Sequence, residues 1–120
     1  MPRLPAEIQA DGAHLFESNG NNVTAIYQLA AQRALQTALA HRCRFALLAD
    51  GSPSCGSQQV YDGSFQQRRV DGSGFTARLL RENGIAVYAE YEAELLAARL
   101  MVEENQTRQA AHNKVSQFIQ

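Results

Sequence analysis

Apolar residues recur at helical spacing over three stretches of this chain, and two short unbroken apolar runs lie between them. From Val23 to His41 the positions Val23, Ile26, Tyr27, Ala30, Ala34, Leu35 and Ala38 fall on one helical face, with Asn22 as the N-cap. His41 and Arg42 near its end suit the negative end of a helix dipole. The run Phe45-Ala46-Leu47-Leu48-Ala49 is too short for an ordinary helix and is followed by Gly51, Ser52 and Pro53, which predicts a buried strand ending in a loop. Gly72-Ser73-Gly74 opens a second helix through about Asn83, with Phe75, Leu79 and Leu80 as its packing face and Gly84 in the helix-ending position. Ile85-Ala86-Val87-Tyr88-Ala89 is then a second buried strand. Strand, crossover helix and strand make a parallel pair with a right-handed connection.

A third helix is predicted from Glu90 to about Glu104, with Leu95, Leu96, Leu100 and Met101 as its core face and Glu92 and Glu94 at its start. Before the first helix, Pro2, Pro5, Asp11-Gly12 and Asn19-Gly20-Asn21-Asn22 punctuate the chain as a hairpin or an irregular arm. Gln66-Gln67-Arg68-Arg69 is a polar connector. Residues 105–120 are polar, and Val115, Phe118 and Ile119 either extend the helix along a partner or belong to a frayed tail. The fold class expected is α/β: a small three-layer domain with a short parallel sheet, the domain over residues 1–104 and a carboxyl-terminal extension over 105–120.

Composition adds mainly exclusions. The 120 residues are 45% hydrophobic and 19% charged, an ordinary single-domain balance. A formal net charge of −1 gives no electrostatic case for nucleic acid or a membrane surface. No apolar run approaches a bilayer's thickness, and no signal-peptide core opens the chain. Two cysteines without framework spacing fit a reducing cytoplasm, which is the expected location.

The candidate chemistry lies in Ala49-Asp50-Gly51-Ser52-Pro53-Ser54-Cys55-Gly56-Ser57, with Tyr61-Asp62-Gly63-Ser64-Phe65 close behind. It sits just beyond the carboxyl end of the first strand, the edge where open α/β sheets bind ligands. Gly51 and Gly56 allow positive φ and Pro53 stiffens the loop, so hydroxyls, amides and one thiol can converge. A plain surface turn uses the same residues. Asp62, inside Asp-Gly, reads as a turn former before it reads as a base. Cys43 precedes the strand and Cys55 follows it, roughly 20 Å apart at about 3.3 Å per residue, so one cluster in one subunit cannot take both thiols. Cys43 is expected to be a small buried apolar residue, and the absence of Cys-x-x-Cys argues against a zinc ribbon.

Ser52-Pro53-Ser54-Cys55-Gly56, Tyr61-Asp62-Gly63-Ser64-Phe65, Gly72-Ser73-Gly74-Phe75-Thr76-Ala77, Leu79-Leu80-Arg81 and Gly84-Ile85-Ala86-Val87-Tyr88-Ala89-Glu90 together resemble the bacterial family of small domains typified by thiouracil desulfidases. The resemblance runs from about Pro2 to Leu100. It implies an oxygen-sensitive four-iron, four-sulfur cluster on cysteines with one iron left open, where a thiolated pyrimidine exchanges sulfur for oxygen from water without net redox change. By motif position, Cys55 corresponds to a cluster ligand and Ser52 to a catalytic serine, with Ser54, Gly56 and Asp62 supporting them. The family's other two ligand cysteines and a Cys-Pro-Glu glutamate precede the counterpart of Met1–Ile8. The resemblance therefore implies a truncated version of a four-stranded parallel sheet, with a cluster absent or incomplete in this chain.

Two readings of function follow. One is a desulfidase-type enzyme of thiolated nucleobases. The other is a small-ligand or anion-binding module without turnover, holding its ligand on the Ser/Gly loop and the Gly72-Ser73-Gly74 helix start. Thin sheets with open edges are usually covered or paired, so a homo-oligomer is expected in either case.

Overall fold

The computed structural model describes residues 4–119, and the chain divides after Glu90 into two compact units. The first unit begins with an antiparallel hairpin, β1 (Ala6–Ile8) and β2 (Leu15–Glu17), in which Glu7 pairs with Phe16. Helix α1 (Thr24–Ala40) follows. The N-cap is Val23 rather than the expected Asn22 and makes no side-chain capping bond; Asn22 forms an Asx turn just before it, its Oδ1 accepting from the Thr24 amide at 3.0 Å and the Thr24 hydroxyl at 2.6 Å. At the other end the His41 ring Nδ1 donates to the Thr37 carbonyl at 2.9 Å, the structural role its position suggested.

Strand β3 (Phe45–Leu48) runs parallel to β6 (Ala86–Ala89), Phe45 opposite Ala86 and Leu48 opposite Ala89. Between them lie β4 (Gln59–Tyr61) and β5 (Arg69–Asp71), an antiparallel pair, and helix α2 (Phe75–Glu82). The α/β class and the parallel pair are as expected. The β4–β5 hairpin was missed, because Gln59 and the Arg68-Arg69 stretch lack apolar alternation; Arg69 opens a strand rather than closing a connector. Gly84, at φ 81°, ends α2 as predicted.

Two clusters make the core. Ile8, Leu15, Val23, Ala31, Val60 and Phe75 join the amino-terminal hairpin to α1, β4 and α2. Ala77, Leu80, Ile85 and Val87, with Leu35, Ala38, Ala46 and Leu48 against them, cover one face of the β3–β6 pair. No element of the first unit covers its other face, so within that unit β3 is not the buried strand expected: Leu47 is 46% exposed. Period-two alternation puts Ala46 and Leu48 under the helices and Leu47 opposite. Phe45 and Tyr88 lie on that other face with ring centroids 6.4 Å apart. On α1, Ile26 is exposed and Ala31 takes the buried place. Cys43 is exposed rather than buried, because the chain leaves α1 through Arg42 at φ 55° and turns it outward.

The second unit holds one helix, α3 (Ala93–Ile119), entered through a 3-10 turn at Glu90–Glu92. The backbone is helical through Ile119. Leu95, Leu100 and Met101 are exposed and Leu96 is half-buried, so the expected core face is not a buried one. Arg99 and Glu103, and Arg108 and Glu104, form i,i+4 ion pairs along the helix. Pro2 and the side chains of Val115, Phe118 and Ile119 lie outside the described residues. Among those described, no helix is long and apolar enough to cross a membrane.

Candidate functional site

The loop leaving β3 is held open by its own polar groups. Asp50 Oδ1 accepts from the amides of Ser57, Gln58 and Gln59 at 3.1, 3.2 and 3.1 Å, tying the far side of the loop to its start. The Asp50 amide in turn donates to Glu90 Oε2 at 2.6 Å, which anchors the loop to the end of β6. Gly51 turns the chain at φ 84°. Gly56 is glycine for a different reason than expected: its φ is not positive, but a Cβ there would lie 2.6 Å from the Gln59 carbonyl oxygen and 2.7 Å from that of Ser52.

Ser52, Ser54, Cys55 and Gly56 form one tight turn, closed by the Gly56 amide on the Ser52 carbonyl at 2.9 Å. The Ser52 Oγ accepts from the amides of Ser54 and Cys55 at 3.1 and 3.2 Å. A hydroxyl has two acceptor sites and one donor, so with both acceptor sites engaged Ser52 offers its O–H. Ser54 shares a 2.7 Å hydrogen bond with the buried hydroxyl of Thr76. Cys55 is a free, half-buried thiol.

The turn is docked on the start of α2. The amides of Phe75 and Gly74 donate to the carbonyls of Pro53 and Gly56 at 2.9 and 2.8 Å, and those of Thr76 and Ala77 both donate to Ser54 at 2.8 and 3.1 Å. These are the amides a helix normally leaves unpaired. The amides that the alternative, anion-binding reading would use at the helix start are thus taken by loop carbonyls. Gly74 permits the approach, since a Cβ would fall 2.5 Å from Ser54 backbone atoms.

A cavity of about 600 Å³ opens beside the turn, with Glu7, Gly51, Ser52, Tyr61, Gln67 and Arg69 among its walls. Ser52 faces it. Cys55, Ser54, Gly56 and Asp62 do not line it; Ser54 borders a separate apolar hollow with Val23 and Tyr27. Asp62 forms a local turn instead, accepting from the Ser64 amide at 2.9 Å and the Ser64 hydroxyl at 2.5 Å, bonds that lower its pKa.

Two wall residues escaped the sequence reading. Glu7 is 6% exposed, and its Oε1 accepts from the amides of Gly63 and Phe65 at 3.0 and 3.2 Å, so the amino-terminal strand clamps the Tyr-Asp-Gly loop. Arg69 places its guanidinium 5.4 Å from the centre of the Tyr61 ring. The contact with Tyr61 first, then the negative charges of Asp50 and Glu90, raise its pKa, so it stays a cation. A buried polar residue inside an apolar strand, Ala-Glu-Ile, was the available signal for Glu7. For Arg69 there was none, since Arg68 beside it looks the same.

The 2-thiouracil desulfurase family model matches residues 1–92. An uncharacterised protein of Bacillus subtilis (strain 168), YbbK, is 35% identical over 99 residues, 76% of this chain and 66% of that protein. A solved structure of a [4Fe-4S]-dependent thiouracil desulfidase, TudS, matches with a TM-score of 0.81 at 44% identity, over 85% of this chain and 66% of that one. The chain thus spans just under two thirds of the length of each. Among the described residues no three His, Cys, Asp or Glu side chains gather to hold a metal. Iron–sulfur clusters are generally held by several thiolates. The site offers Cys55 alone, so the described residues do not by themselves fit such a cluster.

Proposed function

We propose, from the premise that this chain belongs to the 2-thiouracil desulfurase family, that its cavity receives a thiolated pyrimidine whose sulfur is exchanged for oxygen. The reaction is a hydrolysis: the thiocarbonyl carbon takes the oxygen of water, and sulfur leaves with the two protons as hydrogen sulfide. No electron is gained or lost. The observation that carries this reading is Ser52, which lines the cavity with a hydroxyl whose acceptor sites are engaged and whose proton is free to donate.

Each residue's part follows from its contacts. Ser52 donates to the exocyclic atom of the ring and steadies negative charge as it develops there. Asp50 and Glu7 hold the loops around the substrate, since Asp50 Oδ1 and Glu7 Oε1 each accept backbone amides. Cys55 is the thiolate this chain can contribute to an iron–sulfur cluster. With the α2 amides occupied, nothing favours the anion-binding module over this reading.

The test is to incubate anaerobically reconstituted protein with 2-thiouracil and measure uracil and sulfide, alongside iron per chain. Wild-type protein is expected to release both products in equal amounts. Ser52→Ala is expected to lower the rate about 100-fold or more, the scale of losing one positioned donor, with iron content unchanged. Cys55→Ser is expected to lower bound iron. An unchanged rate in Ser52→Ala removes the role given to that hydroxyl.

A further inference from the structure

The polar walls of the cavity are mostly committed elsewhere. Glu7 Oε1 holds two amides, Asp50 Oδ1 holds three, and Ser52 has one proton to give. A thiouracil presents two exocyclic atoms separated by a ring nitrogen, the sulfur to be exchanged and a carbonyl oxygen that stays. One hydroxyl cannot read both.

Arg69 can supply the second contact. Its guanidinium packs so closely over Gly51 that a Cβ there would lie 2.7 Å from Nη2 and 3.0 Å from Cζ, and the Tyr61 ring backs it at 5.4 Å. The plane is thereby pinned at the residue next to Ser52, and a guanidinium carries several N–H donors. A pinned fork loses little entropy on forming a further bond. Asp50 and Glu90 are the carboxylates whose charge acts on it. They offset its charge locally, so the place suits a neutral dipolar acceptor better than a free anion.

We propose that Arg69 is a specificity-determining residue that reads the retained carbonyl oxygen of the thiolated pyrimidine while Ser52 addresses the exchanging position. The inference rests on the proposed function, and it makes the preferred ligand a ring carrying both a thiocarbonyl and a carbonyl.

The experiment is calorimetric titration of the wild-type protein, Arg69→Met and Arg69→Lys with two probes, 2-thiouracil and pyrimidine-2-thione, which has the sulfur and ring but lacks the carbonyl. A hydrogen bond to a charged donor corresponds to a roughly 10- to 100-fold preference for 2-thiouracil in the wild type. Arg69→Met is expected to weaken 2-thiouracil alone, bringing the two Kd values together. Arg69→Lys is expected to fall between. The ratio is read within each variant, so a general loss of stability does not imitate it. Equal wild-type affinities overturn the inference, as does a preference that survives Arg69→Met or a variant that weakens both probes alike. If the wild-type protein binds neither probe, the proposed function falls with it.

Discussion

At the scale of single residues, carboxylates in this protein mostly hold backbone amides, and which amides they hold was invisible in the sequence. Asp50 spans eight or so positions of loop, and Glu7 reaches from the first strand to Gly63. Asp11 does the same locally: the Ala13 amide first, then the His14 ring and amide, lower its pKa from 3.8 to about 2. His14 Nδ1 donates to it at 2.5 Å, which makes His14 a hairpin-loop residue rather than a ligand. Because the folded pKa lies below the unfolded one, the stabilisation from Asp11 is complete above about pH 4 and is lost as pH falls through about 2. Asp62, also lowered, works in the same direction. Thermal unfolding between pH 2 and 4 checks this: Asp11→Asn is expected to lose less melting temperature on acidification than the wild type. Parallel acid profiles would contradict it. The Ser52–Cys55 turn and Tyr61 stood out by motif, whereas the places of Glu7 and Arg69 did not, since they depend on strands that meet only in the fold.

At the scale of elements, α1, α2 and the β3–β6 pair were readable because each carries its own periodicity and punctuation. The β4–β5 hairpin carries neither. Gly72-Ser73-Gly74 was correctly read as a helix start, but its function is docking: it receives the Pro53–Gly56 turn on the first amides of α2. Gly74→Ala would push a Cβ against the Ser54 backbone, which cannot rotate away as a side chain could. The expected cost is about 1–3 kcal/mol, the range for overpacking. A urea melt reads it as a lowered midpoint with the slope retained. The proposed release of sulfide from 2-thiouracil is expected to slow as well, because the turn presenting Ser52 moves with the contact. A midpoint within experimental scatter of the wild type would show that the loop and helix are not locked together.

At the scale of the molecule, the parallel sheet among the described residues consists of β3 and β6, paired with each other. Leu47 and Ala86 are exposed on the face that no element of the first unit covers, with Phe45 and Tyr88 beside them half-buried. Parallel sheets are ordinarily covered on both faces. Self-association through this face is therefore expected. Sedimentation equilibrium on the 120-residue chain is the check: a stable oligomer that Leu47→Glu dissociates supports it, and a folded monomer at all concentrations rules it out.

The sequence by itself determined the α/β class, the parallel strand pair, the ends of α1 and α2, the family and the Ser52–Cys55 turn. Each of these depends on residues near one another in the chain, where hydrophobic period, glycine placement and a short motif suffice. Only the tertiary structure decided that no element of the first unit covers one face of β3, that Cys43 turns outward and that loop carbonyls occupy the amides opening α2. It alone placed Glu7, Tyr61 and Arg69 around Ser52. Those outcomes depend on which backbone amides and which faces meet across long separations, and a carboxylate or guanidinium looks the same in sequence whether it faces water, an amide or a cavity.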